Sequence, residues 1–263
     1  MRSPRLSDVL ATLARIALQG AMQYRASFLV EMFVGAGTTA GVVLPLMFVF
    51  GRTPDVAGWT LPETLLVGAF FLVLQSLVGG IVEPNLGALV DGVRSGQLDY
   101  LILKPPDAQL VASFSRVAPA RLWDLLGGIV VAAWAYRDLP APTLPAVAAA
   151  AGLLLAGVIA VYGLWILVIC ASFWFVRVDN LRYLLGSITD AGRWPVSVYT
   201  GWVRVFLTVL VPVALVTSYP AMALLGRVDR ALVLEAVATA IGMLVVSRLA
   251  WVSALKHYTS ASS

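Results

Sequence analysis

Between Pro145 and Phe175 the chain runs for 31 residues without one Asp, Glu, Lys or Arg. A stretch this long and apolar exceeds the roughly 20 residues that carry an α-helix across a bilayer. Further apolar runs lie before and after it, and only 12% of the 263 residues are charged. A soluble domain carries about 25% charged residues, and half that supply cannot cover a soluble surface. A soluble enzyme, a nucleic-acid-binding domain and a disordered regulator are all excluded, despite a net charge of +4. The chain reads as an all-α polytopic membrane protein.

Six spans are predicted inside one transmembrane domain, residues 26–256. Ahead of it, residues 6–24 alternate with helical period. Leu6, Val9, Leu10 and Leu13 fall on one face, with Asp8, Thr12, Arg15 and Gln19 on the other. Residues 1–25 are therefore expected to form an amphipathic helix lying in the membrane interface. The first span is Ala26–Phe50, followed by a polar turn, Gly51–Thr60, ending in an interfacial Trp59. The second is Leu61–Val82, the third Arg121–Tyr136, the fourth Pro145–Phe175 and the last Ala231–Val252, with a short tail at 257–263. The longest interruption, Glu83–Pro106, carries a short amphipathic piece and ends at Pro105-Pro106, which stop any helix. Long connections are more often functional than short ones.

The fifth region supports two readings. In one, Val203–Leu225 spans the membrane and the preceding residues are cytoplasmic. In the other, residues 181–199 span while shielded by protein, and 200–228 dip in and out as broken, re-entrant helices around Pro212 and Pro220. Irregular backbone at membrane depth survives only when buried in protein or beside a cavity. With the N-terminus inside, the first reading puts fourteen of the eighteen basic residues on the inner side. Moving Arg193 and Arg204 outward leaves twelve. Both place the N- and C-termini in the cytoplasm.

Chemistry-bearing motifs are scarce. There is no GxxxxGK[ST] phosphate loop, no HExxH, one cysteine (Cys170) and one histidine (His257). ATP hydrolysis on a P-loop of this chain and zinc ligation by the usual sets are thereby excluded. Gly186-Ser187 lacks the neighbouring base that a serine nucleophile needs. Asp124, Asp190 and Glu235 stand singly near helix ends, where interfacial solvation accounts for them. No catalytic, cofactor-binding or metal-binding set is expected.

The segment Val93-Arg94-Ser95-Gly96-Gln97-Leu98-Asp99-Tyr100-Leu101-Ile102-Leu103-Lys104-Pro105 resembles a loop motif of ABC-2 type transporter permeases. It is most similar to the small bacterial ABC-2 family transporter proteins encoded as permease pairs beside one ATPase. Ser172-Phe173-Trp174-Phe175, Pro195 with Tyr199, Pro212 with Ala214, Tyr219-Pro220-Ala221 and Trp251 through Tyr258 extend the resemblance over nearly the whole chain. It implies six spans of ABC-2 exporter type, an N-terminal interfacial helix, a cytoplasmic coupling helix in 83–106 and re-entrant extracellular helices before the last span. It also implies two copies of a separate ABC ATPase carrying ATP and Mg, a second permease (identical or homologous), membrane lipids around both, and a bacterial cell membrane. Nucleic acid is not an expected partner. The ATPase-docking residues are then Leu86, Leu89, Val90 and Val93 as apolar key, with Asp91, Arg94 and Asp99 as polar rim. Phe70, Phe71, Gln75, Trp194 and Tyr199 are the candidates for a substrate path. An ATP-independent transporter or channel, and a membrane-embedded lipid-modifying enzyme, are the competing readings.

Overall fold

A computed structural model describes residues 25–85, 87–89, 109, 113–114, 116–171 and 179–257. The expected helix at 6–24, the tail after His257 and the Phe173–Phe175 belt lie outside the described residues. So do six of the docking positions, Leu86, Val90, Asp91, Val93, Arg94 and Asp99.

Among the described residues the elements are helices, plus one isolated bridge, Val56 to Trp59, that closes the turn after the first of them. In chain order they are α1 (Arg25–Phe50), α2 (Leu61–Leu77), α3 (Leu122–Ala135), α4 (Leu144–Ala171) and α5 (Asp179–Thr189). Then follow α6 (Gly201–Val205), α7 (Val213–Val216), α8 (Ser218–Leu224) and α9 (Arg230–His257). The α2 start is written locally: Thr60 precedes it and Glu63 reaches back, its carboxylate accepting from the Thr60 N–H at 2.9 Å. Its end loosens into a π-helical turn, Val78–Val82, at the Gly79-Gly80 pair.

Four helical stretches are long and apolar enough to cross a membrane: those in α1, α2, α4 and α9. They match the first, second, fourth and last expected spans. The third expected span is a helix of 14 residues, Leu122–Ala135. At 1.5 Å per residue it rises only about 21 Å, short of the hydrocarbon core's ~30 Å. The fifth region is no straight helix. Gly201–Leu210 and Val213–Leu224 meet at 68°, broken where Pro212 has no N–H to donate. Counting that bent pair as one span gives five.

The helices form two groups. In one, α1, α2 and α3 pack on each other; in the other, α4 packs along α9 and carries α7 and α8. Close approach in the second group depends on glycine. A methyl at Gly163 would lie 2.8 Å from the Met243 carbonyl oxygen, and one at Gly157 would lie 2.6 Å from that of Leu215. The groups are joined by α7 and α8, whose residues 213–221 are all buried and which touch α2 as well as α4. Much of α1 and α9 is outward-facing, with Phe33 and Leu249 well exposed, as suits a lipid or subunit boundary.

Candidate functional site

The described residues build a polar groove of about 590 Å³ between α1, α2 and the C-terminal half of α5. Gly37, Thr38 and Gly41 form its α1 wall, and Gln75 and Gly79 its α2 wall. Ser187, Asp190 and Arg193 face them from α5 and the 3-10 turn that ends it.

Its most informative feature is an ion pair. Arg193 Nη2 donates to Asp190 Oδ1 at 3.0 Å, and both side chains are partly open to the groove. The Arg193 guanidinium also lies 5.3 Å from the ring centroid of Phe71, a cation–π arrangement. Phe71 is ten residues into α2, about 15 Å along the axis from Leu61, in a helical run that continues past Val82. Asp190 directly follows the C-terminus of α5 and is about half exposed. It stands at a helix end, as expected from its isolation in the sequence; there it is paired with Arg193 and faces the groove.

A second pair lies one level further along α2. Arg121 Nη1 lies 3.4 Å from Asp124 Oδ2, and the Asp124 side chain is 2% exposed, which overturns the expectation of an interfacial carboxylate. Arg121 rests on the glycines of the π-helical turn: a methyl at Gly79 would fall 2.6 Å from its Nε. Such π-helical turns free backbone carbonyls from the ladder and often mark functional positions. Here the Gly80 carbonyl accepts from the Ala118 N–H at 2.8 Å.

Just beyond, the long connection is pinned at its base. The Asn85 amide donates to the Arg116 carbonyl at 2.7 Å, and the Arg116 N–H donates to Asn85 Oδ1 at 2.8 Å. The returning limb is held separately. Arg248 of α9 donates to Gln109 Oε1 at 2.8 Å, the Gln109 amide donates to the Tyr162 hydroxyl of α4 at 3.3 Å, and Ser113 meets that hydroxyl at 3.1 Å. Gln109 and Ser113 are buried.

At the other end of α2 a second lock forms. Glu63 binds both the Thr60 N–H and Arg227, which comes from the turn between α8 and α9. Arg227 lies 5.4 Å from the Trp59 ring, and the Trp59 indole donates to Ser197 Oγ at 2.9 Å. Trp59 is 4% exposed; this expected interfacial aromatic is a buried strut.

Of the expected path residues, Gln75 faces the groove. Phe71 is fully buried and supports Arg193 from below. Phe70 and Trp194 pack at the margin of the cluster between α2 and α3. Tyr199 donates to the Ala191 carbonyl at 3.0 Å and so fastens the end of α5. Leu89, expected on a docking face, is 5% exposed and turned into the cluster around Trp165 and Trp251; burial against that core removes more apolar area from water than a surface position. Asp190 and Arg193 were missed as a site. Their signal was the i, i+3 spacing of opposite charges in a weakly apolar stretch.

No group of three or more His, Cys, Asp or Glu that could hold a metal occurs among the described residues. No curated protein matches the chain, and no solved structure matches it. Residues 36–262 match the sequence model of one family, described as "ABC-2 family transporter protein". That match covers all nine helices except the first turns of α1, the groove and both pinned ends of α2, and the chain belongs to the ABC-2 family of transporter proteins.

Proposed function

We propose that this chain is the membrane-spanning permease subunit of an ATP-driven exporter, and that the polar groove is its half of the translocation path. The observation that carries this reading is the Asp190–Arg193 pair facing an open polar groove between α1, α2 and α5. A charge pair serving packing alone would be enclosed; this one keeps a share of its surface toward space that a solute can enter. A second permease, identical or homologous, closes the groove's open side. The open space beside Gly37, Gly41 and Gly186, where a methyl would meet nothing within 4 Å, supports this.

Energy comes from elsewhere. Two copies of an ABC ATPase, which hold the ATP and Mg, dock from the cytoplasm on the 83–106 connection. The docking face is the one expected from sequence without Leu89: Leu86, Val90 and Val93 with Asp91, Arg94 and Asp99. Closure of the ATPases pushes this connection. Its two attachments, Asn85 to Arg116 and Gln109 to Tyr162 and Arg248, deliver the push to both helix groups. The groups then exchange between two packings, as alternating access requires. In this reading α3 is completed to a sixth span by its flanks, the bent α6–α8 segment is re-entrant from the outside, and the protein lies in the bacterial cell membrane with both termini in the cytoplasm. The chain itself catalyses no reaction.

The test is co-purification of the full-length chain with the ATPase encoded beside it, followed by reconstitution. ATP-dependent uptake into inverted vesicles, lost with a hydrolysis-dead ATPase, is expected. Uphill transport by this chain alone would overturn the reading in favour of an ATP-independent transporter.

A further inference from the structure

The two helix groups do not close on each other at the level below α7. A second cavity, about 360 Å³, remains between them, walled by α2 with its π-helical turn on one side and α4 on the other. It is separate from the polar groove: of the groove's residues only Val78 borders both. The α2 wall is Leu74, Leu77, Val78, Ile81 and Val82, and the α4 wall runs from Val158 to Ile169. Each wall is one helical stripe with i, i+3 and i+4 spacing. The α4 stripe covers eleven residue steps, about 16 Å. The walls along that length are almost wholly apolar.

The polar groups at the slot are few and sit on one flank: Asn85, Ser113 and the Tyr162 hydroxyl. They already bond to the limbs of the long connection. An elongated apolar slot with a few convergent polar groups is the usual form of a site for a small amphipathic molecule. In a bilayer the molecule of that shape in greatest supply is the acyl chain.

We propose that this slot binds an acyl chain, with its polar end toward Asn85, Ser113 and Tyr162. The chain comes either from a membrane phospholipid or from a free fatty acid. Because the slot lies between the two helix groups and under the anchors of the 83–106 connection, its occupancy sets how closely the groups can approach. The inference rests on the chain's place in a membrane and not on its energy source or substrate.

The probe is palmitate bearing a diazirine, irradiated with the full-length permease in phosphatidylcholine nanodiscs. Adducts are expected on the Leu74–Val82 and Val158–Ile169 stripes, competed away by unmodified palmitate. The fillers Val82→Trp and Val158→Phe, both at partly buried slot positions, should each abolish this competable labelling while eluting as folded protein. Two fillers guard against one failing to fold. Native mass spectrometry of the untreated protein then separates the sources, since a retained phospholipid and a retained fatty acid differ in mass. Adducts confined to outward-facing positions such as Phe33 and Leu249, or slot adducts that persist in both fillers, would overturn the proposal.

Discussion

Asn85 and Arg116 exchange two hydrogen bonds, side-chain amide to backbone on both sides, across 31 residues of sequence. The amide of Asn85 imitates a peptide group and treats residue 116 as a neighbouring strand would. The pair closes the base of the long connection just where the π-helical turn of α2 ends.

Asn85→Leu removes both bonds and leaves the Arg116 N–H and carbonyl without these partners. The expected loss is about 1–3 kcal/mol of stability, read as a lower melting temperature in detergent. ATP hydrolysis by the bound ATPase should continue with less transport per ATP. Asn85→Asp keeps the acceptor for the Arg116 N–H and should fall between the two. Equal coupling in all three proteins would show the pair to be decoration.

The Asp190–Arg193 pair predicts a sign reversal. Arg193→Ala leaves the Asp190 carboxylate without its partner in the groove and should impair transport more than Arg193→Ala combined with Asp190→Ala. Coupling in a double-mutant cycle of stability should be about 1 kcal/mol, modest because both groups keep some exposure in the groove. Transport assays of the single and double variants check the order.

Glycines 79 and 37 should respond oppositely. At Gly79 a side chain meets the end of the Arg121 side chain, so Gly79→Val should displace the Arg121–Asp124 pair at a cost of about 1 kcal/mol, the low end of overpacking. At Gly37 nothing lies within 4 Å. Gly37→Trp should leave the melting temperature close to that of the parent yet obstruct the groove. A folded, ATPase-competent and transport-dead Gly37→Trp protein is the expected result.

Glu63 serves two partners, so its substitutions should rank. Glu63→Gln keeps an oxygen for the Thr60 N–H but loses its charge toward Arg227. Glu63→Ala loses both, at an expected further cost of about 1 kcal/mol. Limited proteolysis between α8 and α9 should accelerate in the same order, because Arg227 is what holds that turn to α2. Identical cleavage rates would mean that the Trp59–Ser197 bond alone secures that end of α2.

Much of the architecture was legible in advance. The edges of α1, α2, α4 and α9 fall within a few residues of the hydropathy limits. The break at Pro212 was legible too, as one of two readings. What misled was solitude. Asp124 and Asp190 stand alone among apolar neighbours, and a lone carboxylate is cheapest in water, so both were expected at an interface. Asp124 in fact pairs with Arg121, which lowers the cost of its burial, while Asp190 pairs with Arg193 and stays about half exposed at the end of α5. Trp59, expected at the membrane interface, and Leu89, expected on a docking face, are both packed inside the protein.

Hydropathy and helical period act along one chain and over a few residues, so the sequence by itself determined that this protein is helical, has several stretches apolar and long enough to cross a membrane and lacks a P-loop on which to hydrolyse ATP. Distances between helices are set by packing of residues far apart in sequence. Only the tertiary structure decided that Arg193 rests on Phe71, that Asn85 clasps Arg116 and that α2 and α4 leave a slot between them. Those contacts depend on where Gly157, Gly163 and the bend at Pro212 allow one helix to approach another. No local pattern encodes that sum.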